Sequence, residues 1–255
     1  MSSPILPLLQ ADWPAPANVH AVVSTRAGGV SVAPWNSLNL GTHVADDADA
    51  VRENRKRLLR ALQTLAPCSD PQWLNQVHGV VVADAEKNAA RRCDYVPDAD
   101  ATFTTAKGLP CVVMTADCLP VFFCDKAGTQ VAVAHAGWRG LCDGVLEATL
   151  AKFPKASEVV AWMGPAIGPE KFEVGAEVRT AFMAQQAEAE NCFRPGESSG
   201  KWLADIYGLA RLRLNAAGVS AVYGGGLCTV TDEQRFFSYR RDGKTGRMAS
   251  IIWIS

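Results

Sequence analysis

Residues 109–120, LPCVVMTADCLP, join an apolar run to an acid and a thiol. Residues 112–114 have the β-branched and apolar character of a buried strand, and Pro120 limits how far regular strand pairing can continue. Asp117 and Cys118 are therefore predicted at a strand end, where rigid scaffolds usually present catalytic groups. The simpler interpretation is a buried cysteine beside a loop acid, because free cysteine is among the most frequently buried residue types.

The length and charge of the chain restrict its class. With 255 residues it can bury a large core, and residues 1–255 are expected to form one compact domain. Lys and Arg total 25 against 26 Asp and Glu, and the net charge of -1 gives no general attraction to nucleic acid or anionic lipid. The N-terminus has no signal-peptide pattern, and no apolar run approaches membrane-spanning length. We expect no nucleic-acid partner, no membrane association and a cytoplasmic location.

The cysteines do not form a local framework. Eight are spread along the chain, and no C-x-x-C pair occurs. Small secreted disulfide scaffolds have densely spaced cysteines, and zinc fingers have paired ones. The pattern indicates reduced thiols, so any metal site must be assembled from residues that are far apart in the sequence.

Hydrophobic periodicity predicts strands and helices that mix irregularly. Helices are expected within residues 47–65, 141–153, 173–186 and 203–218, and strands within residues 19–30, 72–85, 129–137, 158–169, 219–226, 236–243 and 247–255. The order does not follow a strict βαβ alternation. It indicates a mixed-sheet α/β or α+β architecture.

Two of the four histidines, His78 and His135, end strand-like segments beside a glycine. With Cys118 they would supply two imidazoles and one thiolate, as in an open catalytic metal site that leaves one position for water or substrate. This donor set suits Zn²⁺ and also copper. Zinc is preferred because a blue-copper centre expects a closely spaced Cys-His-Met loop, which is lacking, and a multicopper oxidase needs more imidazoles. The same residues also allow a cysteine hydrolase, with His135 or His78 activating a Cys118 nucleophile.

Several basic and aromatic residues are candidates for binding an anionic or planar substrate. Arg139 follows His135 near a predicted helix N-terminus, and Arg26 lies beside a Gly-Gly turn, so either could bind phosphate or carboxylate. Tyr239 could wall a flat base, with Arg240 at its polar edge. The competing interpretation is a set of turns with surface ion pairs.

Seven motifs, in chain order, resemble one family: STRAGGVS, NSLNLGTHV, LNQVHG, TADCLPV, AHAGWRG, GPAIGP and FFSYRRDGKTGRMA. They resemble the laccase-domain, or polyphenol-oxidase-like, proteins now described as purine nucleoside phosphorylases, which include a peptidoglycan editing factor. The resemblance covers essentially the whole chain. It implies a layered α/β/β/α single domain with mixed β-sheets, similar to a toxin-type cysteine hydrolase fold, and a catalytic zinc held by His78, Cys118 and His135.

The implied activity is phosphorolysis of adenosine, inosine and methylthioadenosine, with adenosine deamination as a companion reaction. Zinc would activate water for attack at the purine C6, while Arg139 or Arg26 would position phosphate for attack at the anomeric carbon. Asp117 is the nearest candidate acid or base, because the H-x-E and P-C-x-x-C motifs of known zinc deaminases are absent. It could instead orient a ligand. The predicted substrate-binding residues are Arg26, Asn39, His43, Tyr239 and Arg240.

Three other functions stay open at this point. The first is an amidase that edits wrongly built cytoplasmic peptidoglycan precursors, so that the partners would include muropeptide precursors beside purine nucleosides and phosphate. The second is a copper-dependent polyphenol oxidase, and the third is a non-enzymatic binding role. The sequence makes no prediction of the oligomeric state.

Overall fold

The computed structural model describes residues 6–91 and 95–255. The strands in this part of the chain are β1 Leu8–Gln10, β2 Val19–Ser24, β3 Val82–Asp84, β4 Ala101–Thr104, β5 Cys111–Thr115, β6 Leu119–Asp125, β7 Val131–Ala136, β8 Val159–Met163, β9 Glu173–Gly175, β10 Phe193–Pro195, β11 Lys201–Ala204, β12 Ala221–Gly224 and β13 Met248–Ile254. The α-helices are α1 Ala48–Leu65, α2 Ala85–Ala89, α3 Trp138–Asp143, α4 Val145–Leu150, α5 Ala176–Gln185, α6 Ile206–Ala216 and α7 Tyr239–Asp242. Short 3₁₀ helices span Ala156–Glu158 and Ala187–Cys192.

The strands form three sheets. A four-stranded antiparallel sheet has the order β1-β2-β13-β5. A six-stranded mixed sheet has the order β12-β8-β6-β7-β4-β3, in which the two outer pairs, β12 with β8 and β3 with β4, are parallel. A small antiparallel sheet, β10-β11-β9, shares no strand pairing with either, and its residues Val174, Phe193 and Ala204 belong to the same hydrophobic cluster as the six-stranded sheet.

The two larger sheets are sandwiched between helices. Leu58 and Leu62 of α1 pack on the outer face of the four-stranded sheet. Its inner face packs against the six-stranded sheet, whose opposite face is covered by α3, α4 and α6. Period-2 alternation explains the layering, because Val112 and Met114 of β5 face α1 whereas Val113 faces the other sheet. The predicted α/β/β/α architecture is confirmed.

The segment that links the two sheets is residues 109–120. β5 ends at Thr115 in the four-stranded sheet, the chain turns, and β6 starts at Leu119 in the six-stranded sheet. Pro120 does not end the pairing as expected, since it lies in β6 opposite His135 and the ladder continues to Cys124. The turn is therefore the point where the chain crosses between sheets, and it carries Asp117 and Cys118.

Most predicted elements are present, with three differences. The helix expected within residues 141–153 is two helices, α3 and α4, with Gly144 between them at φ 103°. Residues 72–85 form only the short strand β3, together with isolated bridges at Gln72 and Asn75. The strand predicted over 236–243 is wrong, because this segment contains helix α7. Among the described residues, none of the helices combines the length and apolarity needed to cross a membrane.

The described cysteines are consistent with the expected reduced state. Seven are free thiols, namely Cys68, Cys111, Cys118, Cys124, Cys142, Cys192 and Cys228. The eighth, Cys93, lies outside the described residues.

Side-chain hydrogen bonds of Asn54 connect the loop after β2 to helix α1. Its side chain is fully buried and donates to Ser31 Oγ at 2.9 Å, Ser37 O at 3.1 Å and Asn39 O at 2.9 Å, while its Oδ1 accepts from the Val30 N–H at 2.8 Å. Removing this amide would leave the Val30 N–H and the Asn39 carbonyl without the hydrogen-bond partner that Asn54 gives them. Asn54 thus links four residues of the loop to helix α1.

We expect Asn54→Ala to lower the free energy of unfolding by about 2–4 kcal/mol, because the Val30 N–H and the Asn39 carbonyl lose the partner that Asn54 supplies and two further hydrogen bonds are lost. Urea denaturation followed by circular dichroism measures the change. The exposed Lys56 on the same helix supplies a control, since Lys56→Ala should change stability by less than about 0.5 kcal/mol. Equal stability of Asn54→Ala and the control would contradict the role given to Asn54.

Candidate functional site

His78, Cys118 and His135 converge into one group. One ligand atom from each residue lies within 4.8 Å of the others. Cys118 Sγ is 3.8 Å from His78 Nε2, and the two imidazole rings meet edge to face with centroids 4.8 Å apart. Residues separated widely along the sequence thus form one compact donor set.

Three different elements carry the members of this group. His78 lies in the loop between α1 and β3, Cys118 in the turn between β5 and β6, and His135 in β7. The backbone approaches closely at Gly137, where a Cβ atom would lie 2.7 Å from His78 Cδ2 and 3.2 Å from Cys118 Sγ. Only glycine leaves room for the group at this position.

Asp100 holds both histidines from behind. Its carboxylate is fully buried, and its Oδ1 lies 2.8 Å from His135 Nδ1. The same carboxylate accepts the backbone N–H groups of Val77, His78 and Gly79 at 3.2, 2.9 and 2.7 Å. Since a carboxylate accepts, His135 Nδ1 carries the proton and its Nε2 is left as the ligand atom.

The thiol and the imidazole of the group stabilise each other's charged forms. Burial opposes a thiolate at Cys118, but His135 and His78 outweigh it through charge and hydrogen bonding, and lower the pKa of Cys118 to about 6. Burial likewise opposes a charged His135, but the charges of Cys118 and Asp100 raise the pKa of His135 to about 9. The metal-free site therefore favours a thiolate paired with an imidazolium.

The donor set fits a metal ion. Two imidazoles and a thiolate on separate elements, with a carboxylate behind one imidazole, match the ligands and supporting contacts of catalytic zinc sites. Within the described residues, this is the one group of histidine, cysteine and acidic side chains with the spacing to hold an ion. The donor chemistry accommodates zinc or copper.

The carboxylate of Asp117 is engaged by the C-terminal part of the chain. It accepts Thr229 Oγ1–H at 2.6 Å and the Arg240 N–H at 2.6 Å, and its backbone carbonyl accepts the Ile167 N–H at 2.8 Å. Asp117 has φ 96°, a conformation that costs a non-glycine residue about 1–3 kcal/mol. These contacts hold the turn that presents Cys118.

The other predicted residues differ in how free their side chains are. Arg26 donates to Asn36 O at 3.1 Å and Glu233 O at 3.0 Å and lies over the Phe237 ring. Asn39 is fully buried and bonded to Gly41, Asp46 and Arg247 through its side chain. Both therefore support the loop, and their substrate contacts stay predictions.

Four predicted residues are exposed. Arg139 stacks on Trp138, Arg240 donates to Lys171 O and Glu173 O, Tyr239 has 61% of its surface exposed, and His43 lies beside Gly41. The structure does not place them in the His78–Cys118–His135 group. Their substrate-binding roles stay predictions.

Two residues of the site were missed by the sequence analysis. Asp100 precedes β4 with no motif of its own, and an acid at that position is indistinguishable from a loop acid in sequence. Arg247 precedes β13, and the charges of Cys118 and Asp117 act on its guanidinium, partly offsetting the lowering of its pKa by burial. The feature of the sequence that points to Arg247 as a site residue is its position in the motif FFSYRRDGKTGRMA.

A family model described as multi-copper polyphenol oxidoreductase laccase matches residues 20–255. A purine nucleoside phosphorylase of Pseudomonas aeruginosa is 55% identical over 96% of this chain and 98% of its own length. The purine nucleoside phosphorylase YfiH of Escherichia coli is 54% identical over 97% of this chain and 98% of its own length.

Solved structures share the fold. A crystal structure of a Neisseria meningitidis protein is 52% identical, covers 97% of this chain and 99% of its own, and superimposes with a TM-score of 0.90. YlmD from Geobacillus stearothermophilus is 31% identical, covers 98% of both chains, and has a TM-score of 0.86.

We expect Asp100→Asn to weaken zinc binding about 10–100-fold, because the amide does not stabilise the His135 tautomer as the carboxylate does. Competition with a chromogenic chelator measures the affinity. Asp98, two residues away and exposed, supplies the control Asp98→Asn, which should bind zinc as the wild type does. Wild-type affinity in Asp100→Asn would show that the carboxylate does not support the ligand.

In the metal-stripped protein, Cys118 should react with iodoacetamide at a rate that rises through pH 6, because its pKa is lowered to about 6. Buried Cys111 and Cys124, whose pKa values burial raises to about 12, serve as internal references. Peptide mapping by mass spectrometry assigns the modified thiol at each pH. A rate for Cys118 that rises only near pH 9 would contradict the proposed thiolate.

Proposed function

The chain belongs to the multi-copper polyphenol oxidoreductase laccase family, and we propose that it is a zinc-dependent purine nucleoside phosphorylase. The observation that carries the proposal is the convergence of His78, Cys118 and His135 within 4.8 Å. The relatives in Pseudomonas aeruginosa and Escherichia coli, which match nearly the whole chain, are named purine nucleoside phosphorylases. We propose adenosine, inosine and methylthioadenosine as the nucleosides.

Zinc is the proposed metal because two imidazoles and one thiolate are ligands that catalytic zinc sites use. A bound Zn²⁺ would supply Lewis-acid chemistry at the mouth of the group. His135, fixed by Asp100, would offer Nε2 as a ligand, and Cys118 would offer its thiolate. His78 completes the set from the opposite loop.

Polyphenol oxidation by copper, which the family description suggests, has less support. A multicopper centre draws on many imidazoles, and the chain has four histidines in all. His20 stacks on Trp253 and hydrogen-bonds Ser255, and His43 lies beside Gly41. These positions give the site only two imidazoles.

The proposed reaction needs phosphate and a nucleoside together. A phosphate oxygen forms a bond to the sugar C1′ while the bond from C1′ to purine N9 breaks, and the electron pair stays on N9. The purine takes up the proton that hydrogen phosphate carries, so the products are ribose 1-phosphate and the free base. The chain's own contribution is to bind and orient both substrates and to keep competing water away from C1′.

Adenosine deamination is proposed as the companion reaction, in which water replaces the amino group at C6 and ammonia leaves. The sequence makes Asp117 the nearest candidate acid or base for this reaction. Its contacts with Thr229 and Arg240 support a positioning role instead, because both carboxylate oxygens already accept hydrogen bonds.

We also propose that residues 1–255 form one domain and that the protein acts in the cytoplasm. The free thiols of the seven described cysteines support a reducing environment. Limited proteolysis and cell fractionation test these two points.

We expect Cys118→Ala to lose both bound zinc and phosphate-dependent release of hypoxanthine from inosine, because the group would keep only two ligands. Metal content is measured by elemental analysis, and products by chromatography with and without phosphate. Cys68→Ala, at a half-buried cysteine outside the group, is the matched control and should retain both properties. Full phosphorolysis by Cys118→Ala would overturn the assignment.

The same assay separates the editing alternative. If the zinc-loaded wild type releases an amino acid from a muropeptide precursor but no hypoxanthine from inosine, the site is an amidase and the phosphorylase proposal fails. Hypoxanthine release that is independent of phosphate would instead indicate a nucleoside hydrolase.

A further inference from the structure

Three basic side chains meet around Gly41. A Cβ atom at Gly41 would lie 2.9 Å from Arg247 Cγ and 3.4 Å from His43 Cε1. Arg55 donates through Nε and Nη2 to the neighbouring Leu40 O, at 3.0 and 2.9 Å. We call His43, Arg55 and Arg247 the Gly41 basic cluster.

The cluster lies at the strand end that carries Cys118. β13 pairs with β5 in a register that sets Met248 opposite Thr115, so Arg247 precedes β13 where the chain leaves β5 toward Cys118. The charges of Cys118, Asp117 and Tyr239 are those that favour the protonated form of Arg247. The basic cluster and the proposed metal group therefore face one region.

The cluster has no directly paired counterion within residues 6–91 and 95–255. None of its members forms an ion pair there, although Asp117 acts on Arg247 at longer range. Burial, and then the charges of Arg247 and Arg55, lower the pKa of His43. Arg55 and Arg247 are therefore two neighbouring positive charges without an ion-pair partner, an arrangement that suits the binding of an anion.

Hydrogen bonds hold the guanidinium groups of Arg55 and Arg247 in place but leave some of their N–H donors without a partner in the described chain. Arg247 uses Nη1 for Thr245 O and Gly246 O, so its Nε and Nη2 have no partner in the described chain. Arg55 lies 3.7 Å over the Trp73 ring, which holds its guanidinium flat behind Leu40. A guanidinium anchored on one edge presents its other edge in a fixed orientation to an oxyanion.

We infer that the Gly41 basic cluster binds the phosphate co-substrate, with Arg247 and His43 in contact with the anion and Arg55 stabilising it from behind. The inference rests on the proposed phosphorolysis. It replaces Arg26 and Arg139 as the expected phosphate residues. Arg26 already donates to two backbone carbonyls, and Arg139 stacks on Trp138 on the exposed side of α3.

The test compares zinc-loaded wild type with Arg247→Met, Arg247→Lys and the control Arg60→Met, an exposed arginine of α1. Inosine phosphorolysis is measured over a series of inorganic phosphate concentrations. We expect Arg247→Met to raise the KM for phosphate at least about tenfold and Arg247→Lys to raise it less, since lysine keeps the charge but loses the planar fork. The KM for inosine should change less than about twofold, which uniform damage to the site would not produce.

Two results would overturn the inference. One is an unchanged KM for phosphate in Arg247→Met, and the other is a raised value in Arg139→Met with none in Arg247→Met. If Arg247→Met does not fold, as thermal melting would reveal, His43→Gln decides the question. His43 is exposed and bonds no described residue, so a raised phosphate KM in this folded variant supports the cluster and an unchanged value refutes it.

Direct binding separates this inference from the proposed function. Titration of zinc-loaded protein with inorganic phosphate, followed by ³¹P NMR, requires no turnover. Suppose that Arg247→Met binds phosphate more weakly than the wild type and that the wild type does not cleave inosine. This result would support the anion site and reject the phosphorylase. If the wild type cleaves inosine with phosphate and Arg247→Met binds phosphate as tightly as the wild type, the phosphorylase is supported and the anion site is rejected.

Discussion

Asp100 accepts four hydrogen bonds in a fully buried position, one from the His135 ring and three from the N–H groups of Val77, His78 and Gly79. A buried carboxylate is unfavourable unless its oxygens are satisfied, and these donors satisfy them. The consequence is mechanical as well as electrostatic. One side chain fixes the spacing between a loop and a strand of the six-stranded sheet, and that spacing sets the two imidazoles of the proposed metal group.

Asp117 positions Cys118 through the hydrogen bonds of its carboxylate, as Asp100 positions the two histidines. Its carboxylate joins the turn between the two large sheets to Thr229 and to the backbone of Arg240, more than a hundred residues away in sequence. These bonds offset the cost of its left-handed backbone and direct Cys118 toward the group. An acid beside a thiol need not be a proton carrier. Here the contacts support a group that keeps the thiol in place.

Local sequence properties predicted a mixed α/β architecture, because hydrophobic alternation is readable over a few residues, whereas the α/β/β/α layering followed from the resemblance of the motifs to a known family. Residue type at the ends of strand-like segments also suggested His78, Cys118 and His135 as one donor set, and the structure brings these three residues together. Asp100 was not predictable in this way, since its partners lie 22 and 35 positions away. The same contact explains the missing strand around His78, whose N–H bonds a carboxylate rather than a neighbouring strand. The aromatic residues of 236–243 favoured a strand, but Ser238 accepts the Arg241 N–H and caps helix α7.

The charges around the site are arranged asymmetrically. On the side of the core, each carboxylate accepts hydrogen bonds. Asp100 accepts them from the His135 imidazole and from backbone N–H groups of the loop, and Asp117 accepts them from the Thr229 hydroxyl and the Arg240 N–H. On the side of Gly41, the guanidinium groups of Arg55 and Arg247 face backbone carbonyls and an aromatic ring, which satisfy hydrogen bonds without cancelling charge. Donors that are already oriented need no reorganisation when an anion arrives, so they stabilise it more than solvent-exposed lysines would. The phosphate proposed as co-substrate is a dianion, and the positive charge of Arg55 and Arg247 would attract it to a site that also contains the Cys118 thiolate.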